Sequence, residues 1–121
     1  MATFDCIGNL GADPEVSFTP SGQALVKFSV AETRRIRNKD TGEWSDGPTS
    51  WWRCTAWGPF GETIAENVIK GQSVNVKGRI EIREVDSNGE KKYFTEVTVD
   101  ELGLNVRRLK PKGDSSSQAP F

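Results

Sequence analysis

From residue 24 to residue 31 apolar and polar side chains take turns, Val26, Phe28 and Val30 alternating with Leu25, Lys27 and Ser29. A period of two predicts a strand with one buried face. Ahead of it, residues 4–10 read as a first strand that runs into a turn at Gly8-Asn9-Leu10-Gly11, and residues 15–18 as a brief extended piece. Thr19-Pro20-Ser21-Gly22 has proline and glycine where a type I turn takes them, so a hairpin follows. The same period returns in residues 50–59. As a strand, that stretch sets Trp51, Arg53, Thr55 and Trp57 on one side and Trp52, Cys54 and Ala56 on the other, apolar side.

Then the period changes. Phe60, Ile64, Ala65 and Val68 recur at helical spacing, Pro59 suits the first helical position, Glu62 lies near the positive end, and Lys70-Gly71 supplies the stop. Strand spacing resumes with Val74, Val76, Gly78, Ile80 and Ile82 inward, the mid-strand glycine marking a bend at a barrel corner. Asp86-Ser87-Asn88-Gly89 is a loop, residues 91–100 form a further strand with Tyr93, Thr95, Val97 and Val99 on one face, and residues 102–109 give a last apolar stretch. Three strands, one helix, then two strands or more is the element order of an all-β, five-stranded Greek-key OB barrel with its helix between the third and fourth strands. The predicted organisation is one domain over residues 1–109 and a polar tail, residues 110–121, too poor in apolar residues to fold.

Composition removes function classes. Hydrophobic residues make up 35% of the 121, no apolar run approaches a membrane span, and the first residues lack the basic start and apolar block of a signal peptide, so the chain reads as cytoplasmic. Cys6 and Cys54 are too few for a disulfide framework and match no zinc spacing; two reduced, buried thiols are the simpler reading. Histidine is absent, which removes the commonest general base, serine-histidine triads and most catalytic zinc sites, and no cofactor or metal is expected. An enzyme is disfavoured. The formal net charge of −1 hides an uneven distribution: Arg34, Arg35, Arg37 and Lys39 fall within six residues, whereas Glu62 and Glu66, Glu84 and Asp86, and Asp100 and Glu101 gather the acids. A basic rim on an acidic body steers a polyanion to one surface.

Two indoles and a guanidinium on one pleated face form a stacking platform, and aromatic planes hold unpaired bases at ~1–3 kcal/mol per base whatever their sequence. Taken alone, the strand suits two buried core tryptophans equally well. The basic stretch and its return limb with Trp44 read as an arm that could fold over a bound strand, or as a solvated hairpin, and the charge run alone favours the latter. An indole flanked by Glu43, Ser45, Asp46 and Gly47 has no obvious core to enter.

Residues 3–109 resemble the bacterial-type single-stranded DNA-binding proteins. The resemblance is carried by Gly8-Asn9-Leu10-Gly11-Ala12-Asp13-Pro14-Glu15-Val16, by Asp40-Thr41-Gly42-Glu43, by Trp51-Trp52-Arg53-Cys54-Thr55-Ala56-Trp57-Gly58, and by Lys70-Gly71 leading into Val74-Asn75-Val76-Lys77-Gly78-Arg79. It implies sequence-independent binding of single-stranded DNA in replication, recombination and repair, with bases on Trp51 and Trp57 and with Arg53 between them. Arg34, Arg35, Arg37 and Arg79 are the expected phosphate contacts, joined by Lys27, Lys77 and Arg83. Two family stacking positions are not aromatic here, corresponding to Ile36 and Val85, so Trp44 and Tyr93 are the expected substitutes. The resemblance further implies a homotetramer of dimers paired through their first strands, a nucleoid-associated location, and a tail that recruits replication and repair proteins through Pro120 and Phe121. That tail has Ser115, Ser116, Ser117 and Gln118 where the family carries carboxylates. Trp52 is a candidate for the subunit interface or for the core, and Cys6 for a bridge between copies. The alternatives of another class are an OB module that binds protein and one that binds RNA.

Overall fold

The computed structural model describes residues 2–109. Its elements in chain order are β1 (Ala2–Leu10), β2 (Glu15–Phe18), β3 (Ala24–Arg37), β4 (Trp44–Trp57), helix α1 (Gly58–Asn67), β5 (Ser73–Ser87), β6 (Glu90–Leu104) and a 3-10 turn at Val106–Arg108. Strands follow one another in space as β1-β5-β6-β4-β3, and the ring closes where Asn9 and Leu10 of β1 meet Ala31 and Val30 of β3. The β4–β6 pairing, Arg53 to Thr55 against Glu96 to Thr98, is parallel; the others are antiparallel. This is the five-stranded Greek-key OB barrel the element order predicts, with α1 between its third and fourth strands. The short β2 lies outside the ring, paired to β3 alone.

Alternation decides the core. Val26, Phe28 and Val30 of β3, Cys54 and Ala56 of β4, Val74 and Val76 of β5, and Val97 and Val99 of β6 are all buried, and Ile64 of α1 joins them. The helix begins with Pro59 in its first turn, where a missing N–H costs nothing, and its C-terminal Val68 N–H bonds back to the Ile64 carbonyl at 2.9 Å. Gly78 sits at the register shift of β5, where a Cβ would collide with the Thr98 carbonyl; the predicted corner is therefore a steric requirement.

Two burial expectations are corrected, those for Ile82 and Phe60. Ile82 does not face the core: it is 69% exposed, because β5 and β6 outrun the barrel and continue as a two-stranded arm with no layer beneath it. Phe60 likewise lies on the exposed side of α1, which buries Gly58, Gly61 and Ile64 instead. The last apolar stretch begins inside β6, which runs unbroken to Leu104. Trp52 belongs to the inner face: its ring meets Phe4 edge-on at 4.8 Å and its Nε1–H donates to Glu32 Oε1 at 3.1 Å. Cys6 points into the barrel and is buried beside the core that holds Cys54. Burial pushes the Cys6 thiol up to about 11, with Glu32 and Asp5 adding to the shift, and the Cys54 thiol up to about 12. A bridge between copies would have to pull Cys6 out of this core. No helix of the described residues is long and apolar enough to cross a membrane.

Candidate nucleic-acid interface

The outer face of β4 carries what its alternation places there. Trp51 is 62% exposed and Trp57 41%, with Arg53 and Thr55 between them. Opposite them on β3 stand Ala31, Ser29, Lys27 and Leu25, so the side chains facing Trp51 and Arg53 are small and leave the ground above the sheet open. The Trp51 indole lies against the turn after β1. A Cβ on Gly11 would come within 2.5 Å of that ring, so a glycine there is what allows the indole to rest on the backbone.

Registers extend this face into rows across the barrel. Ser29, Arg53 and Glu96 form one row, and Lys27, Thr55, Thr98 and Arg79 the next. Beside Arg53 is an open cavity of about 290 Å³, lined among others by Lys27, Ser29, Thr55, Arg83 and Glu96. Arg53 also lies over the ring of Phe94, 5.5 Å from its centroid, a cation–π placement. Arg83 pairs with Glu96 at 3.0 Å. The face is thus of mixed charge.

The β3–β4 arm continues the same surface through an irregularity. Between the Thr33–Thr49 and Arg35–Asp46 pairs, Gly47 and Pro48 stand opposite the single residue Arg34. An extra residue rephases alternation. Trp44, which simple counting from Trp51 would send to the other face, is brought back to Trp51's side, opposite Arg37 and 59% exposed. Thr33 and Thr49 join hydroxyls at 2.9 Å across this face.

The predicted residues therefore divide. Trp51, Arg53 and Trp57 share the barrel face, and Trp44, Arg35 and Arg37 extend it along the arm, with Arg35 held by Asp46 at 3.5 Å. Arg34 is the single residue opposite the Gly47–Pro48 bulge and points to the other face from Thr33 and Arg35. Arg79 stands two strands from Thr55 and is clasped by Asp100 through contacts of 3.2 and 3.3 Å. Tyr93 is 63% exposed but projects from the opposite face of the β5–β6 arm to Phe94, across from Glu84. Phe94, absent from the sequence-derived set, is the aromatic that joins Arg53. Its signal was present: the alternation that puts Tyr93 with Val97 and Val99 puts Phe94 with Glu96 on the outer face. Pro120 and Phe121 lie outside the described residues.

Comparison with known proteins agrees with this architecture. Residues 1–105 match the single-strand binding protein family. The chain is similar to the single-stranded DNA-binding protein of Mycobacterium tuberculosis (strain ATCC 25618 / H37Rv), 42% identical over 118 residues that cover 97% of this chain and 72% of the relative. Its fold is that of a small single-stranded DNA-binding protein from Streptomyces coelicolor, with a TM-score of 0.74 and 22% identity over 88% of this chain and 95% of the other. It is also that of a Plasmodium falciparum SSB in complex with ssDNA, with a TM-score of 0.75 and 23% identity over 87% and 95% of the two chains. By the match along nearly its whole described length, the chain belongs to the single-strand binding protein family.

Proposed function

We propose that this protein binds single-stranded DNA by stacking and charge, without chemistry and with little preference for sequence. The observation that carries the proposal is the outward placement of Trp51 and Trp57 on one pleated face with Arg53 between them. Bases lie on the two indoles, and Trp44 takes a further base on the arm. A duplex hides the planes that such rings hold, so unpaired strands are selected. Phosphates meet Lys27, Arg37 and Arg53, which share this face and have no carboxylate partner among the described residues, whereas Arg34 is on the other side of the arm. Arg35 and Arg79 contribute less, because a phosphate must first displace Asp46 or Asp100. Each single-strand phosphate neutralised contributes ~0.7 to the slope of log affinity against log salt, so these three unpaired cations predict a slope of about −2.

The chain acts in replication, recombination and repair in the cytoplasm, at the nucleoid, and as a homotetramer. Supporting assembly, β1 pairs with β5 from Ala2 to Asn9 but with β3 only at Asn9 and Leu10, so the other edge from Ala2 to Gly8 is unpaired within the described residues and Ile7 stands exposed beside it. Linking several sites raises avidity through effective concentration, so each barrel binds modestly. Recruitment of partner proteins falls to Pro120 and Phe121. The test is competition for tryptophan quenching by oligo-dT among unpaired DNA, matched RNA and duplex DNA of equal length. Unpaired DNA competes best if the proposal holds; equal competition by duplex defeats it, superior competition by RNA reassigns the ligand, and no quenching at all points to a protein-binding module.

A further inference from the structure

Arg53 and Glu96 are direct cross-strand partners on the outer face of the parallel β4–β6 pair, oppositely charged and side by side. Such neighbours attract, and the planar guanidinium fork is suited to take a carboxylate with two hydrogen bonds. They do not pair in this structure. Glu96 is instead bound at 3.0 Å by Arg83, which reaches across from β5, and the Arg53 guanidinium lies over Phe94. An aromatic ring engages the face of a guanidinium and leaves the in-plane N–H groups available. Arg53 is the cation between the two stacking indoles, so its freedom from carboxylate is the condition for its reaching a phosphate.

We propose that Arg83 is a positioning residue which, by occupying Glu96, keeps Arg53 free for the phosphate of a bound strand, with Phe94 holding the released guanidinium. The assignment rests on the single-strand reading above and changes the role of Arg83 itself. On sequence grounds Arg83 is one more phosphate contact; here its charge is spent on Glu96 and it acts through a second arginine. When Arg83 is lost, Glu96 turns to Arg53 and withdraws it from DNA.

The test is a double-mutant cycle on oligo-dT affinity and its salt slope, using wild type, Arg83→Met, Glu96→Gln and the double variant, with far-UV circular dichroism and the thermal midpoint as folding controls. In the Glu96 background Arg83→Met weakens binding about tenfold and lowers the salt slope by ~0.7, as one phosphate contact is lost. In the Glu96→Gln background the same change costs less than twofold and leaves the slope alone, because no carboxylate remains to capture Arg53. Phe94→Leu weakens binding about threefold and Phe94→Tyr restores it. An equal cost of Arg83→Met in both backgrounds, with the slope falling in both, shows Arg83 meeting phosphate directly and overturns the assignment. Should the wild-type protein fail to bind oligo-dT, the functional reading itself falls; should it bind with an additive cycle, only the role of Arg83 does.

Discussion

Ile80 and Ile82 lie two residues apart on the same face of β5, yet one packs against the core and the other is 69% exposed. The difference is between the barrel wall and the arms that grow out of it. In the wall every inward position meets a second layer: the opposite strands, or Ile64 of the helix plug. In the arms, where β3–β4 and β5–β6 continue as two-stranded ribbons, the same alternation goes on with nothing underneath. Period two thus fixes which face a side chain takes, while burial depends on whether another element covers that face. The arms leave both faces of a sheet available, and the putting of Trp44 and Phe94 there costs the core nothing.

The sharpest way to break this contrast is to truncate one isoleucine from each region. Ile64→Ala should lower unfolding free energy by about 2–5 kcal/mol through the lost contacts and the cavity left, whereas Ile82→Ala should stay within about 0.5 kcal/mol. Urea unfolding reads both, the midpoint moving for the first and not for the second. On the outer face the order reverses between stability and binding. Trp51→Ala should cost ~1–3 kcal/mol of oligo-dT affinity while leaving the urea midpoint near that of the wild type.

The wall also has a pH signature. Both thiols are raised in the folded state, so above the ordinary thiol value of 9.0 the unfolded chain loses protons that the native chain keeps, and stability falls as pH rises toward about 11 for Cys6 and about 12 for Cys54. The sign follows from the unfolded state binding fewer protons in that window, and by pH 10 the loss is roughly 1 kcal/mol per thiol. Cys54→Ala should flatten this alkaline limb in unfolding curves taken from pH 8 to 10.5. The smallest effect belongs to the arm: Trp44→Ala should weaken binding by under ~1 kcal/mol, and only for oligonucleotides long enough to reach it from Trp51. Unchanged affinity and quenching at every length would remove Trp44 from the interface.

Much of the wall was legible in the sequence because each strand there obeys one period and one burial rule. The split of Trp51, Arg53 and Trp57 from Trp52, Cys54 and Ala56 follows from counting alone, as does the core set of β5 as far as Ile80. What counting missed has physical reasons. Ile82 fails because strand length and barrel length differ, which no local pattern encodes. Trp44 shares a face with Trp51 only by virtue of the two-against-one step at Gly47 and Pro48, and an extra residue in a ladder is visible only once its partner strand is known. Phe94 was overlooked for its neighbour Tyr93, although alternation separates them. The pairing of Arg79 with Asp100 and of Arg83 with Glu96 joins residues 21 and 13 positions apart, fixed by the β5–β6 register.

Photo-crosslinking of an oligonucleotide carrying 5-iodouracil, followed by peptide mapping, tests most directly where the strand lies. The account predicts adducts on the β4 peptide at Trp51 and Trp57, with weaker ones at Trp44 and Phe94. Adducts confined to β1 or to the turn at Val106–Arg108, with none on β4, would contradict it.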